Sequence, residues 1–168
     1  DRRIINCCKK YEIKAMITSK KCKTGTDRVA EVAKKIKVKN YINVQGDEPL
    51  FNHLDLKKII KYTKNNKKVL LGYTSISNKK DFNNKNVPKV VFDNKENLLY
   101  ASRSPIPSKK NFGISKSWRQ VLVYSFPRKK LLKFGNEKKK SYLESLEDIE
   151  ILRFLELGES VKLIKMSK

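Results

Sequence analysis

The sequence lacks two features on which several classes of protein depend: long apolar runs and paired cysteines. No segment approaches the ~20 consecutive apolar residues of a membrane-spanning helix, and no secretory signal is visible. The three cysteines, Cys7, Cys8 and Cys22, include no CxxC pair, so their spacing does not fit a zinc site. An odd number of thiols is typical of a reducing compartment, and we therefore expect a cytoplasmic protein.

Acidic residues are also scarce, with 17 Asp and Glu against 40 Lys and Arg, and the formal net charge is +23. Such a balance can indicate a nucleic-acid-binding protein. However, only seven of the 40 basic residues are arginine, the residue best suited to paired hydrogen bonds with phosphates and bases, which leaves 33 lysines. Because these lysines are spread over the whole chain, we do not expect a nucleic-acid partner, and a basic nucleic-acid-binding domain is only our third hypothesis.

The order of the predicted elements indicates an α/β protein. With 168 residues the chain is long enough for one domain with a real core, and we treat residues 1–168 as a single domain. Strand-like and helix-like segments alternate, which favours a mainly parallel sheet, and two strands within 88–102 form an antiparallel hairpin. The other predicted strands are 15–18, 41–44, 69–74, 119–126 and 161–166.

The predicted helices are 1–10, 26–36, 54–62, 127–135 and 141–157. Thr26 is a candidate N-cap for the second of these helices. Helical spacing predicts that Leu56, Ile59 and Ile60 point inward from the third. The last helix has the clearest apolar periodicity, and Gly158 is a natural residue to end it.

The first candidate site follows the predicted strand 41–44. In open α/β sheets, ligands bind beyond the carboxyl ends of the strands. Asp47 lies at such an end, after Gly46, where the backbone can approach a ligand closely. A carboxylate there suits Mg²⁺, which bridges carboxylate and phosphate oxygens. The alternative is an ordinary turn before Pro49.

Three further segments are candidates. The segment 23–28 contains a glycine and leads into a helix N-terminus, which attracts anions, although Thr and Asp are common helix caps and Arg28 could be a solvated side chain of the first turn. A loop with two prolines, 103–107, follows the hairpin. The last predicted helix carries acidic residues and one arginine at a spacing of three, which could also be a ladder of surface ion pairs. These residues are Glu144, Glu147, Glu150 and Arg153.

In this order the motifs resemble the 3-deoxy-manno-octulosonate cytidylyltransferase family of sugar-acid cytidylyltransferases. The strings are GTDR, NVQGDEP, YASRSPIP, RQVLVY and LESLEDIEILR, and the resemblance covers essentially the whole chain. It implies a Rossmann-like, three-layer fold of the nucleotide-diphospho-sugar transferase type. It also implies a homodimer that uses Mg²⁺ to transfer CMP from CTP to a 3-deoxy-2-keto sugar acid, with release of pyrophosphate, for lipopolysaccharide synthesis.

The resemblance assigns roles to individual residues. Asp47 would bind Mg²⁺, and Arg28 would act in catalysis and, with Thr26 and Gly46, in nucleotide binding. The residues expected around the sugar acid are Gln45, Arg103, Tyr124, Glu150 and Arg153.

The sequence departs from the family pattern at several places. Gln120 stands where we expect a histidine and Leu122 where we expect a glycine, and both changes affect the expected sugar. The family's first strand with its nucleotide loop, and its C-terminal segment with a second metal-binding Asp, are missing. We therefore expect a copy truncated at both ends, with little or no activity by itself. The second hypothesis is a catalytically inactive remnant of the fold.

Overall fold

The computed structural model describes residues 1–46, 51–110 and 116–167, and the statements below concern these residues. None of their helices is long and apolar enough to cross a membrane. The strands are β1 Asn40–Val44, β2 Val69–Ile76, β3 Lys89–Phe92, β4 Leu98–Ser102, β5 Ser117–Pro127 and β6 Val161–Lys165. The helices are α1 Arg2–Lys10, α2 Gly25–Lys35, α3 His53–Lys64, α4 Lys79–Asn83, α5 Arg128–Asn136, α6 Tyr142–Glu147 and α7 Ile151–Glu156.

The strands form one mixed sheet in the order β4-β3-β5-β2-β6, and β1 pairs with the C-terminal half of β5. The mixed α/β fold and the β3–β4 hairpin are confirmed. The expectation of a mainly parallel sheet is wrong for the described strands, because β2 and β6 form the one parallel pair of five. The cause is β5, which runs antiparallel between β1 and β2 and so separates two strands that share a direction.

Helices cover the sheet on both faces. Side chains alternate along β5, so Val121 and Val123 pack in a small cluster with Ile59 of α3. Tyr124 and Phe126 face the opposite way, into the larger core that includes residues of α2, α5 and α7. β5 is therefore covered on both faces. The neighbouring strand β2 is covered in the same way, since nearly all of its residues are buried.

Two helices of the larger core approach each other unusually closely. A Cβ added at Gly135 of α5 would lie 2.5 Å from the Cβ of Ala30 in α2. Gly135 therefore lies inside α5, where it allows close packing, and does not end the helix as its position after Pro127 suggested.

Several predicted elements are corrected by the structure. Residues 15–18 are not a strand; they pair with no described strand, and Met16 and Ile17 are exposed. The N-cap of α2 is Thr24, whose side chain accepts from the Asp27 N–H, and Thr26 lies within the helix. Of the residues expected to point inward from α3, Ile59 is fully buried, whereas Ile60 is 39% exposed.

The predicted helix 141–157 is two helices. α6 ends at Glu147, and Asp148 adopts a left-handed backbone conformation with φ 51° and ψ 47°. α7 then starts at Ile151. A left-handed residue cannot continue a right-handed helix, so the chain changes direction at this point.

Candidate functional site

A cavity of about 260 Å³ opens beside the break between α6 and α7. Its polar wall includes four of the predicted sugar-acid residues and two further polar residues of β5. They are Gln45, Arg103, Tyr124 and Glu150, with Arg119 and Gln120. We call this the first cavity.

The pairing of β1 with β5 brings two of these residues together. Asn43 is the register partner of Tyr124, and the Gln45 N–H donates to the Leu122 carbonyl at 3.2 Å. The end of β1 is therefore held against the middle of β5. Gln45 and Tyr124, far apart in sequence, meet at one edge of the first cavity.

Arg103 connects the loop after the β3–β4 hairpin to the break between α6 and α7 through hydrogen bonds. Its Nε donates to the Glu147 carbonyl at 2.6 Å, and one terminal nitrogen donates to the Asp148 carbonyl at 3.0 Å. The Glu147 carboxylate in turn accepts from the Ser102 hydroxyl at 2.7 Å and from the Arg103 N–H at 2.8 Å. Arg103 thus satisfies carbonyl groups that the end of α6 leaves without helical partners.

Glu150 follows this break and directly precedes α7, and its side chain reaches the N-terminus of α2. Its two carboxylate oxygens accept from the N–H groups of Gly25, at 3.0 Å, and Thr26, at 2.8 Å. The anion site that the sequence predicted at this N-terminus is therefore filled by a carboxylate of the protein itself. Thr26 is buried, and its N–H is already bonded to Glu150.

A second cavity, of about 430 Å³, adjoins the first. Its wall includes Gly25, Arg28, Asn43, Gln45, Gly46 and Glu150. Gln45 and Glu150 thus border both cavities. Arg28 is exposed, and one of its terminal nitrogens donates to the Thr18 hydroxyl at 2.7 Å and to the Ser19 carbonyl at 3.2 Å. The Nδ2 atom of Asn43 is buried and has no hydrogen-bond partner in the described part of the chain.

Arg153 is not brought to either cavity. It is 1% exposed and lies behind the wall. Nε and one terminal nitrogen bind the buried Glu144 carboxylate at 2.6 and 2.7 Å, and the other terminal nitrogen binds Asp27 at 2.8 Å. The guanidinium also lies 3.8 Å from the centre of the Phe134 ring. Burial acts to lower the pKa of Arg153, but the hydrogen bonds to Glu144 and Asp27 raise it overall.

Arg119 was not among the predicted site residues, and Gln120 was noted only as a departure from the family pattern that affects the expected sugar. The guanidinium of Arg119 makes no ion pair or hydrogen bond with the residues that the structure describes. Gln120 is buried, and its Oε1 has no partner in the same set. The RQVLVY motif could have indicated both residues, because it begins at Arg119 and ends at Tyr124, which also borders the first cavity.

Lys89 stabilises the backbone behind the wall of the first cavity. It is fully buried at the start of β3, and its ammonium donates to the Asn84 carbonyl at 2.8 Å and the Arg103 carbonyl at 2.7 Å. Burial lowers the pKa of Lys89, and the charge of Arg103 lowers it further. Lys89 thereby ties the segment before β3 to the loop that Arg103 holds.

The predicted metal ligand Asp47 lies outside the described residues. Within 1–46, 51–110 and 116–167, no group of three or more His, Cys, Asp and Glu side chains is arranged to hold a metal ion. Gln45 and Gly46, which directly precede Asp47, border the second cavity.

Comparison with known proteins agrees with this architecture. A family model described as cytidylyltransferase matches residues 1–162. The 3-deoxy-manno-octulosonate cytidylyltransferase of Flavobacterium johnsoniae is 36% identical over 158 residues, which is 90% of this chain and 64% of that protein. The enzyme of the same name from Geotalea daltonii is 35% identical, over 98% of this chain and 70% of that protein.

Solved structures show the same relationship. CMP:2-keto-3-deoxy-manno-octonic acid synthetase complexed with CTP superposes with a TM-score of 0.89 at 28% identity and covers 100% of this chain, which covers 70% of that one. HddC from Yersinia pseudotuberculosis, at a TM-score of 0.65 and 14% identity, covers 98% of this chain and 65% of its own, and it shares the fold. The chain thus spans about 64 to 70% of the length of the two relatives and of the synthetase. On the family match and these identities, the chain belongs to the cytidylyltransferase family.

Proposed function

We propose that the chain carries the sugar-acid site of a cytidylyltransferase, which transfers CMP from CTP to a 3-deoxy-2-keto sugar acid such as Kdo and releases pyrophosphate. The observation that carries the proposal is the pair of adjoining cavities that share Gln45 and Glu150. A reaction between two substrates needs two pockets that meet at the reacting atoms, because positioning supplies much of the rate.

The first cavity suits the sugar acid. Its volume of about 260 Å³ is close to the lower end of the ~300–1,000 Å³ typical of small-molecule sites. Arg119 offers a cation without an ion-pair partner among the described residues, which suits a carboxylate. Gln45 and Tyr124 carry groups that can bond sugar hydroxyls. Arg103 borders the cavity too, but its nitrogens are engaged by backbone carbonyls, so we assign it the task of shaping the wall.

The second cavity suits the nucleotide. Arg28 is a cation on its rim, and the unpartnered Asn43 amide is a donor in its wall. The structurally similar synthetase is described as complexed with CTP, which supports a nucleotide here. The sugar's anomeric oxygen would then form a bond to the α-phosphorus beside Gln45 and Glu150. The bond from that phosphorus to pyrophosphate breaks, and the hydroxyl proton passes to solvent.

We also propose that Asp47 binds Mg²⁺, since it directly follows two residues of the second cavity wall. A hard cation held by one carboxylate and by phosphate oxygens would neutralise the charge that develops on the phosphates. Asp47→Asn should remove the Mg²⁺ dependence of CTP binding measured by calorimetry. Binding that still strengthens with Mg²⁺ in this variant would exclude the role.

A homodimer formed through the β3–β4 hairpin remains our proposal for the assembly. β4 is an edge strand of the described sheet, and Leu99 on it is 61% exposed. An exposed edge with apolar side chains is normally covered. Sedimentation should show a dimer that Leu99→Lys dissociates; a parent chain that is monomeric at high concentration would contradict the proposal.

Calorimetric titration with Kdo tests the central proposal. We expect Arg119→Gln to bind Kdo at least tenfold more weakly than the parent chain, because the carboxylate loses its cation. Arg2→Gln is the matched control, since Arg2 is exposed on α1 and borders neither cavity. Equal affinity of the parent and both variants, or no binding by the parent, would refute the assignment.

A further inference from the structure

Gln120 carries an unusual unsatisfied group in the wall of the first cavity. Its side chain is only 7% exposed, yet Oε1 accepts no hydrogen bond from any residue of the described ranges. Buried polar atoms in native proteins nearly always have partners, because burial without one is costly. An unpartnered acceptor at the wall of a cavity is therefore best explained by a ligand that supplies the donor.

The backbone holds Gln120 firmly in this position. Its N–H donates to the Pro88 carbonyl at 3.1 Å, and its register partner on β2 is Tyr73. Alternation along β5 places Gln120 on the same side of the sheet as Leu122 and Tyr124, which also border the cavity. A strand fixed on both sides presents its side chains with little freedom.

Gln120 lies at the end of the cavity away from the expected reaction. The pairing of β5 with β2 shifts register between these two residues, so the partners of Gln120 and Tyr124 on β2 are Tyr73 and Leu71, which are only two residues apart. At about 3.3 Å per residue of an extended strand, Gln120 and Tyr124 are therefore separated by roughly 7 Å along the sheet. Tyr124 lies near Gln45, which borders both cavities, whereas Gln120 borders only the first. A ligand whose reacting carbon is next to Gln45 would therefore bring a different part of its skeleton to Gln120.

We infer that Gln120 is a specificity-determining residue whose Oε1 accepts a hydrogen bond from a hydroxyl of the sugar acid remote from the anomeric carbon. This inference rests on the proposed function. A site that is built to bond a hydroxyl discriminates against analogues that lack it, because its own polar group then stays unpaired. An amide does not titrate near neutral pH, so this discrimination is the same at pH 6 and pH 8, unlike that of a histidine.

The test is a cycle of binding measurements with Kdo and with its 7-deoxy and 8-deoxy analogues. We expect the parent chain to bind one of the two analogues about tenfold more weakly than Kdo, the size expected for one hydrogen bond to a buried group. Gln120→Met keeps the approximate shape without the acceptor, and it should bind Kdo and both analogues with equal, weakened affinity. Gln120→Glu retains an acceptor and should retain the preference for Kdo over the same analogue.

The outcomes separate the two proposals. Kdo binding with the same discrimination in Gln120→Met as in the parent would overturn the role of Gln120 and leave the sugar-acid site standing. Equal binding of Kdo and both analogues by the parent would also overturn it. Absence of Kdo binding by the parent would overturn the proposed function and this inference together. Circular dichroism and the thermal midpoint confirm that each variant is folded.

Discussion

The buried cluster around Arg153 and the first cavity use similar side chains in opposite ways. Arg153 binds two carboxylates and lies against an aromatic ring, so all three of its nitrogens have partners. In the cavity, Arg119 and the Oε1 atom of Gln120 have none among the described residues. Arg153 thus has all of its partners within the protein, whereas Arg119 and Gln120 keep groups that can bond a ligand where we propose that one binds.

The two regions are nevertheless connected through the first turn of α2. Glu150, in the cavity wall, accepts from Gly25 and Thr26, and Arg153 binds Asp27. One short stretch of α2 therefore contacts both the wall and the core behind it. Glu150 and Arg153 are three residues apart in one motif, yet the break at Asp148 gives them different tasks.

The largest expected effect is a loss of stability when the buried cluster around Arg153 is changed. Arg153→Met should lower the free energy of unfolding by about 3–5 kcal/mol, because it leaves the Glu144 carboxylate buried without a cation. Urea unfolding measures this loss. The double variant with Glu144→Gln should recover part of the stability, since the uncompensated charge is then absent. A loss of less than about 1 kcal/mol would break the comparison, because Arg153 would then not stabilise the fold.

The opposite pattern is expected in the cavity. Arg119→Gln should leave the free energy of unfolding within about 0.5 kcal/mol of the parent, as for a side chain without protein partners. Its effect should appear in Kdo affinity, where a tenfold loss corresponds to about 1.4 kcal/mol. Urea unfolding and calorimetry on the same preparation give both values. A stability loss as large as that of Arg153→Met would show that the two arginines do not differ in task.

Substitution of Glu150, which borders both cavities, should change the stability by an intermediate amount. Glu150→Gln removes a negative charge from the N-terminus of α2 while keeping an acceptor for the two N–H groups. We expect a stability loss of about 1 kcal/mol, the upper part of the usual range for a charge at a helix end. Thermal unfolding at low and high salt measures it. A loss that is absent at both salt concentrations would show that the carboxylate does not stabilise α2.

The smallest effect concerns an ion pair far from the cavity. Glu159 binds Lys130 at 2.9 Å and Lys133 at 3.0 Å, and the hydrogen bond from Lys130, followed by that from Lys133, lowers its pKa. A lowered carboxyl pKa gives stability that is present above the unfolded pKa of about 4.3 and is lost as the pH falls through the folded value. Glu159→Gln should cost about 0.5 kcal/mol at pH 7 and nothing below the folded pKa. A difference that persists in acid would contradict the ion pair as its source.

The sequence predicted the parts of the fold that depend on local pattern. Apolar runs located β2 and β6, and the polar turn between 92 and 98 located the hairpin. The direction of β5 could not be predicted, because an apolar strand has the same pattern whichever way its neighbours run. The break at Asp148 was missed because helical periodicity continues from Leu143 to Phe154 and no glycine marks the left-handed residue.

The candidate site was also predicted only in part, because sequence motifs group residues but do not show which of them the folded chain buries. Four residues that the resemblance groups together border the first cavity, namely Gln45, Arg103, Tyr124 and Glu150, and their contact with a sugar acid stays a prediction. The burial of Arg153 depends on Asp27, which is 126 residues away in sequence, and on a chain reversal that brings Glu144 back to it. No spacing rule contains that information.

A crystal structure of the chain soaked with Kdo tests the central claim most directly. We expect electron density for the sugar acid in the first cavity, with its carboxylate within hydrogen-bonding distance of Arg119 and a hydroxyl next to Gln120. Arg153 should keep its bonds to Glu144 and Asp27 unchanged. Kdo bound elsewhere, or Arg153 turned from the core to bind it, would contradict the division between a satisfied core cluster and an open cavity.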